Sequence, residues 1–229
     1  MTTIAVIGMG EMGAAVAARI VEQGGRAVTE LTGRSASSIR RAEDAGAEVL
    51  SPAELVERAD IIRSIIPPVS AVAVAEQYLP LIRQSAEPPM FIDCNAIAPA
   101  TLDVISRQYA AAALPFGDGS IIGSPPLPGN AGPRLYLSGD VGKQSDILKN
   151  FGLDTRYLSK TLGDASALKM SFAGITKGLT ALATSMAIGA ARGGALDSLV
   201  EELKFCQSSL YKRFSRELPR MYDKAYRWD

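Results

Sequence analysis

Short apolar runs alternate with stretches whose apolar positions recur three and four residues apart, and the alternation continues as far as residue 162. Residues 3–7 (TIAVI) are apolar enough for a strand covered on both faces. From Glu11 the period changes: Met12, Ala15, Val16, Arg19, Ile20 and Gln23 mark a helix that Gly24-Gly25 stops. Strands are predicted over 26–31, 47–50, 60–66, 90–94, 116–123, 134–138 and 154–158. Helices are predicted over 36–45, 52–59, 69–83, 99–113 and 143–150; Ser51 and Glu54 form a capping box for the second, with Pro52 in its first turn. A proline-rich loop occupies 124–133. After Gly163 the strand pattern stops. Residues 164–192 are small and apolar, a composition suited to a buried helical spine, and a further helix is predicted over 196–213. The expected class is α/β: a doubly wound, mostly parallel sheet over 1–162, then a small all-α domain over 163–229 that begins with a long helix.

The first strand leads directly into Gly8-Met9-Gly10-Glu11-Met12-Gly13. A buried strand, a GxGxxG turn and an amphipathic helix together point to a Rossmann-type dinucleotide site, with these six residues as cofactor contacts. Gly8 permits the tight turn, Gly10 lets the backbone approach a pyrophosphate, and Gly13 lets the helix pack on the strand. The helix N-terminus offers free N–H groups and a positive dipole end to the phosphates. At the end of the second strand Glu30 sits early for a ribose-binding acid, while Gly33, Arg34 and Ser35 provide a turn, a cation and a hydroxyl. These suit a 2′-phosphate, so NADP is expected ahead of NAD. The competing reading makes Arg34 a solvated loop cation and Ser35 a helix cap. Ile66-Pro67-Pro68 closes the fourth strand with a rigid turn where a nicotinamide would lie, or else simply ends the strand.

Composition narrows the chemistry. The chain has 229 residues, 47% hydrophobic and 21% charged, with a formal net charge of +0. That balance argues against a dedicated nucleic-acid binder. The tail from Ser215 interleaves Arg216, Arg220, Lys224 and Arg227 with Tyr222, Tyr226 and Trp228, but Glu217, Asp223 and Asp229 dilute it, favouring a solvated face or subunit contact. No segment is long and apolar enough to span a bilayer and no basic leader opens the chain, so a cytoplasmic protein is expected. Cys94 and Cys206 are read as separate thiols. There is no histidine, which excludes a Ser-His-Asp triad, a histidine metal site and a histidine proton shuttle. No metal is expected. Proton transfer near neutral pH must fall to Lys, Asp, Glu, Tyr or Cys.

Lys169 is the candidate catalytic residue. Its helical neighbours Ala165, Leu168, Phe172 and Ala173 are apolar, and desolvation favours the neutral amine useful to a general acid–base. A lysine whose stem covers the core and whose head reaches water fits the same periodicity. Lys177, two turns on, fits either reading.

The glycine turn, Gly33-Arg34-Ser35, Ile66-Pro67-Pro68, Asp93-Cys94-Asn95 and the Lys169 helix resemble the β-hydroxyacid dehydrogenase and 6-phosphogluconate dehydrogenase superfamily, which includes 3-hydroxyisobutyrate dehydrogenases. ASALKMSFAGITKG and the closing AYRW resemble its poorly characterised branch with a phosphogluconate-dehydrogenase-like C-terminal domain. The resemblance implies an NADP-dependent oxidoreductase acting on a small hydroxy acid or carbonyl, with Lys169 as general acid–base, and a homodimer. Imine reduction and non-catalytic NADP binding are the alternatives. It also implies that Asn95 contacts cofactor and substrate, and that Ser120, Gly123, Ser124, Lys169 and Lys177 line the substrate site. Two positions depart: Ala173 replaces the family's asparagine, and Ile122-Gly123-Ser124 replaces its Ser-Gly-Gly. The second domain, at 163–229, is also shorter than the resemblance implies.

Overall fold

Thr3–Ile7 (β1) is buried at every position and is an inner strand of one eight-stranded sheet. The computed structural model describes residues 2–126 and 132–219. Along the chain β1 is followed by Glu11–Glu22 (α1), Arg26–Thr29 (β2), Ala36–Asp44 (α2), Glu48–Val49 (β3) and Pro52–Arg58 (α3). Next come Ile61–Ser64 (β4), Ala71–Gln84 (α4), Met90–Asp93 (β5), Pro99–Ala111 (α5) and Phe116–Ile122 (β6). Arg134–Ser138 (β7), Gly142–Asn150 (α6) and Asp154–Ser159 (β8) complete the sheet. The helical remainder is Asp164–Arg192 (α7), Leu196–Cys206 (α8) and Ser208–Glu217 (α9).

The strand order is β3-β2-β1-β4-β5-β6-β7-β8. All neighbouring strands are parallel except β6 and β7. The chain runs outward from β1 through β2 to β3, then returns to place β4 on the other side of β1. That reversal opens the crevice at the carboxyl ends of β1 and β4 in which doubly wound sheets bind ligands.

Burial on both faces explains the continuous apolar strands. Ile4, Val6, Ile61 and Ile92 pack on one face with Val16, Ala17 and Ile20 of α1 and Leu148 of α6. Ala5, Ile7, Ile62 and Phe91 pack on the other with Leu55, Val74, Tyr78, Ile105 and Tyr109. The rings of Phe91, Tyr109 and Phe116 gather there, with centroids 5.1–6.2 Å apart.

Three expectations change in detail. β2 ends at Thr29, because the Glu30 carboxylate accepts the Thr32 amide and turns the chain out of the ladder. The single helix expected over 196–213 is two helices, broken at Gln207, whose backbone (φ −135°, ψ 47°) leaves the helical region. The expected buried spine buries only Ala165 and Ser166 among the described residues.

The chain forms two compact units, Met1–Met170 and Ser171–Asp229, so that α7 begins in the first and continues in the second. Within the second, Phe172, Ile175, Leu182 and Met186 are 47–64% exposed. With half-buried Leu179 they follow a three-four-three-four spacing, the seam of paired helices. No helix among the described residues is long and apolar enough to cross a membrane. Part of the proline-rich loop, residues 127–131, and the aromatic-basic tail from Arg220, including AYRW, lie outside the described residues.

Candidate cofactor and proton-transfer site

The glycine turn shows a different constraint at each glycine. Gly8 has φ +96°, and a Cβ there would lie 2.4 Å from the Ile65 carbonyl oxygen. A Cβ on Gly13 would lie 1.9 Å from the Gly8 carbonyl oxygen, so α1 can sit this close to β1 only without a side chain. Gly10 is the opposite case. A Cβ there would meet nothing within 4 Å. The space is open in front of the N-terminus of α1, which has no side-chain cap. Unclaimed amides of the first turn therefore face a cradle kept clear of side chains, the arrangement a dinucleotide pyrophosphate requires. Met9 is buried, Met12 packs partly against the core, and Glu11 is exposed in the first turn.

Beyond β2, Arg34 is half-buried and its Nη2 donates to Glu30 Oε1 at 3.0 Å. Its Nε is buried without a partner among the described residues. Tyr78, on α4, carries a buried hydroxyl that also lacks a partner; burial, and then the charge of Glu30, push this phenol up. Gly33 turns at φ +70° with open space around it. Ser35 caps α2, its Oγ accepting the Ser38 amide at 3.3 Å.

At the crevice, Pro67 and Pro68 are exposed, and a single 3₁₀ turn, Pro68–Ser70, follows β4. Asn95 ties this loop down. It is 3% exposed, and its Oδ1 accepts the Ile66 amide at 2.7 Å. Its Nδ2 donates to Asp93 Oδ2 at 2.8 Å and to Ser64 Oγ at 3.0 Å, while its backbone amide donates to Asp93 Oδ1. Both amide hydrogens are thus spent within the protein. Asp93 is fully buried, and its carboxyl is pushed up to about 6, chiefly by burial, against the lowering effect of Asn95.

β6 supplies the next layer. Asp118, 0% exposed, receives Ser138 Oγ (2.8 Å), the Gly163 amide (3.1 Å), the Ser166 amide (3.0 Å) and Ser166 Oγ (2.6 Å). A carboxylate from the sheet therefore caps the start of α7 and complements its dipole. Ser120, also fully buried, donates to the Ala165 carbonyl at 2.5 Å. One turn on, Lys169 Nζ donates to the carbonyl of Ile121, near the carboxyl end of β6. Gly123 has φ +132° and Ser124 is exposed beyond it. Lys177 is exposed and belongs to the second unit.

The geometry thus brings the glycine turn, Ile66, Asn95 and Lys169 into one unit, with Ser120 anchoring α7 from below. Several contributors are absent from the sequence reading: Ser64, Ser138 and Ser166 as partners, and Arg63. Asp93 and Asp118 interrupt otherwise apolar strands, which is the signal that marks them; the serines carry none. No cluster of His, Cys, Asp or Glu suited to a metal occurs among the described residues.

Residues 3–146 match the family model for the NAD binding domain of 6-phosphogluconate dehydrogenase. The chain belongs to this dinucleotide-binding family. It is 31% identical to a 3-hydroxyisobutyrate dehydrogenase of Pseudomonas aeruginosa over 127 residues, 54% of this chain and 41% of that enzyme. Among solved structures it superposes on the conserved protein MTH1747, described as similar to 3-hydroxyacid dehydrogenases, with a TM-score of 0.77 and 27% identity, covering 99% of this chain and 85% of that one. An imine reductase from Myxococcus stipitatus in complex with NADP+ shares the fold at a TM-score of 0.73 and 20% identity, covering 98% and 78% of the two chains. The chain spans 41–66% of the length of the curated relatives it matches.

Proposed function

We propose that this protein is an NADP-dependent oxidoreductase acting on a small hydroxy acid or carbonyl compound, with Lys169 exchanging the proton. The observation that carries the reading is the tether of Lys169 to Ile121, which holds the amine at the same carboxyl edge that bears the glycine turn. The nicotinamide, when bound, supplies or accepts the hydride. Gly8, Gly10 and Gly13, with the first turn of α1, would hold the pyrophosphate; Arg34 would meet a 2′-phosphate. Ile66, Pro67 and Pro68, fixed by Asn95, would form the wall beside the ring. In oxidation, neutral Lys169 takes the substrate hydroxyl proton at Nζ. In reduction, its ammonium gives that proton to the developing alkoxide. Gly123 and Ser124 follow the Lys169 tether at the carboxyl end of β6 and are the proposed substrate contacts.

Turnover of a hydroxy-acid panel by Lys169→Ala tests this. The expected result is a loss of about a hundredfold or more with dinucleotide affinity retained; unchanged turnover removes Lys169 from the chemistry. Activity on amine–carbonyl mixtures alone would assign the fold an imine-reducing chemistry, and binding without turnover on either panel would leave a cofactor-binding module.

The apolar seam of α7 supports a homodimer formed through this helix. Sedimentation at micromolar concentration should show two copies; a monomer would count against it.

A further inference from the structure

Among the described residues Arg63 is the one arginine in the set of largest fully buried side chains, at 1% exposure, and it sits in the inner strand β4. Its neighbours across the sheet are Val6 on β1 and Ile92 on β5, both apolar. Among the described residues, Nε and Nη1 have no hydrogen-bond partner, and Nη2 meets only the Cys94 thiol, at 3.9 Å. Asp93 and Asp118 offer no pairing: they alternate to the opposite face of the sheet and are spent on Asn95 and on the start of α7. A buried guanidinium without a paired carboxylate is an unfavourable arrangement unless something else answers its charge.

Its position says what that is. Arg63 is one residue from the end of β4, and Cys94 follows the end of β5, so the head group reaches the carboxyl edge. It shares a face with Val6, whose Cγ1 lies 3.4 Å from the Cβ position of Gly13. The charge therefore lies beside Cys94, on the face of the sheet that α1 covers and at the edge that bears the glycine turn. Resting on the dinucleotide reading, we infer that Arg63 is the buried countercharge of the cofactor diphosphate. It acts from the same edge of the sheet through a low-dielectric interior, adding to the amides and dipole of α1, and touches no phosphate itself. It is a positioning residue, and its ligand class is any nucleotide carrying a diphosphate at this turn.

Equilibrium titration of the native chain, R63M and R63K with NADPH, ADP-ribose and adenosine tests this. ADP-ribose keeps the diphosphate but lacks the 2′-phosphate that Arg34 would meet, and adenosine lacks both. R63M should bind NADPH and ADP-ribose about tenfold more weakly than the native chain, with adenosine unchanged and R63K close to native. The ratio should hold between low and high salt, because a buried charge is little screened. Without ligand, R63M should melt higher, since an apolar side chain replaces an unpaired charge. Should R63M fail to fold, R63Q carries the same comparison. Equal NADPH affinity in the native chain and R63M overturns the inference alone; equal weakening towards adenosine makes Arg63 merely structural. A native chain that binds no dinucleotide overturns the cofactor reading, and this role with it.

Discussion

Arg34 and Glu30 form an ion pair across the turn that follows β2, with Nη2 3.0 Å from Oε1 and the acid almost wholly enclosed. The carboxylate that would otherwise repel a 2′-phosphate is thereby neutralised, and the guanidinium is braced at the rim. Arg34→Ala should weaken NADPH by about 1–3 kcal/mol and leave NADH nearly unchanged. Glu30→Gln should shift the balance between the two cofactors towards NADPH. Fluorescence titration with both cofactors checks each; equal losses for both in Arg34→Ala would remove the arginine from cofactor choice.

Two glycines of one turn should fail in opposite ways. Gly13→Ala drives a methyl into the Gly8 carbonyl and should abolish stable folding. Gly10→Ala meets nothing in the protein and should change stability by no more than about 1 kcal/mol, while dinucleotide affinity falls steeply. Urea denaturation beside cofactor titration separates the two. Retained affinity in Gly10→Ala would show that the cradle is not used.

Asp118 gathers four hydrogen bonds from β7 and from the start of α7. Asp118→Ala should cost about 3 kcal/mol or more, because buried donors lose a charged acceptor together. Hydrogen exchange should speed at the Gly163 and Ser166 amides before the strands open. Unaltered protection there would refute the cap.

Asp93 should titrate near pH 6, well above the usual carboxyl range, because burial disfavours its charged form. The native state then holds a proton that the unfolded state has released. Asp93 therefore opposes stability fully above about pH 6, and this penalty fades as pH falls towards 3.8. Carboxyl carbon NMR should find the midpoint; a value at or below 4 would overturn the assignment.

The glycine turn and the strand–helix alternation were legible because backbone conformation and burial on both faces leave marks in residue type. The Ser51–Glu54 capping box appears as the pattern predicted, with both reciprocal bonds present. The break at Gln207 was not legible, since no glycine or proline marks it. Nor was the use of Asn95: the sequence identifies an amide near the crevice, but only the fold shows it filled by Asp93, Ser64 and Ile66. Arg63 stood in plain view within DIIRSII. Its meaning depended on the absence of a partner, which a sequence does not display.

The cap on α7 comes from a strand 45–48 positions earlier in the chain. The helix can therefore be clamped at its first turn only after β6 and β7 have paired, so folding acquires an order. An isolated peptide spanning α7 would begin without this clamp, free to slide or fray at its start. As the chain emerges during synthesis, the sheet can assemble first and the lysine be seated last. A damaged sheet would then leave the amine unseated, and the proposed proton exchange would be lost with it.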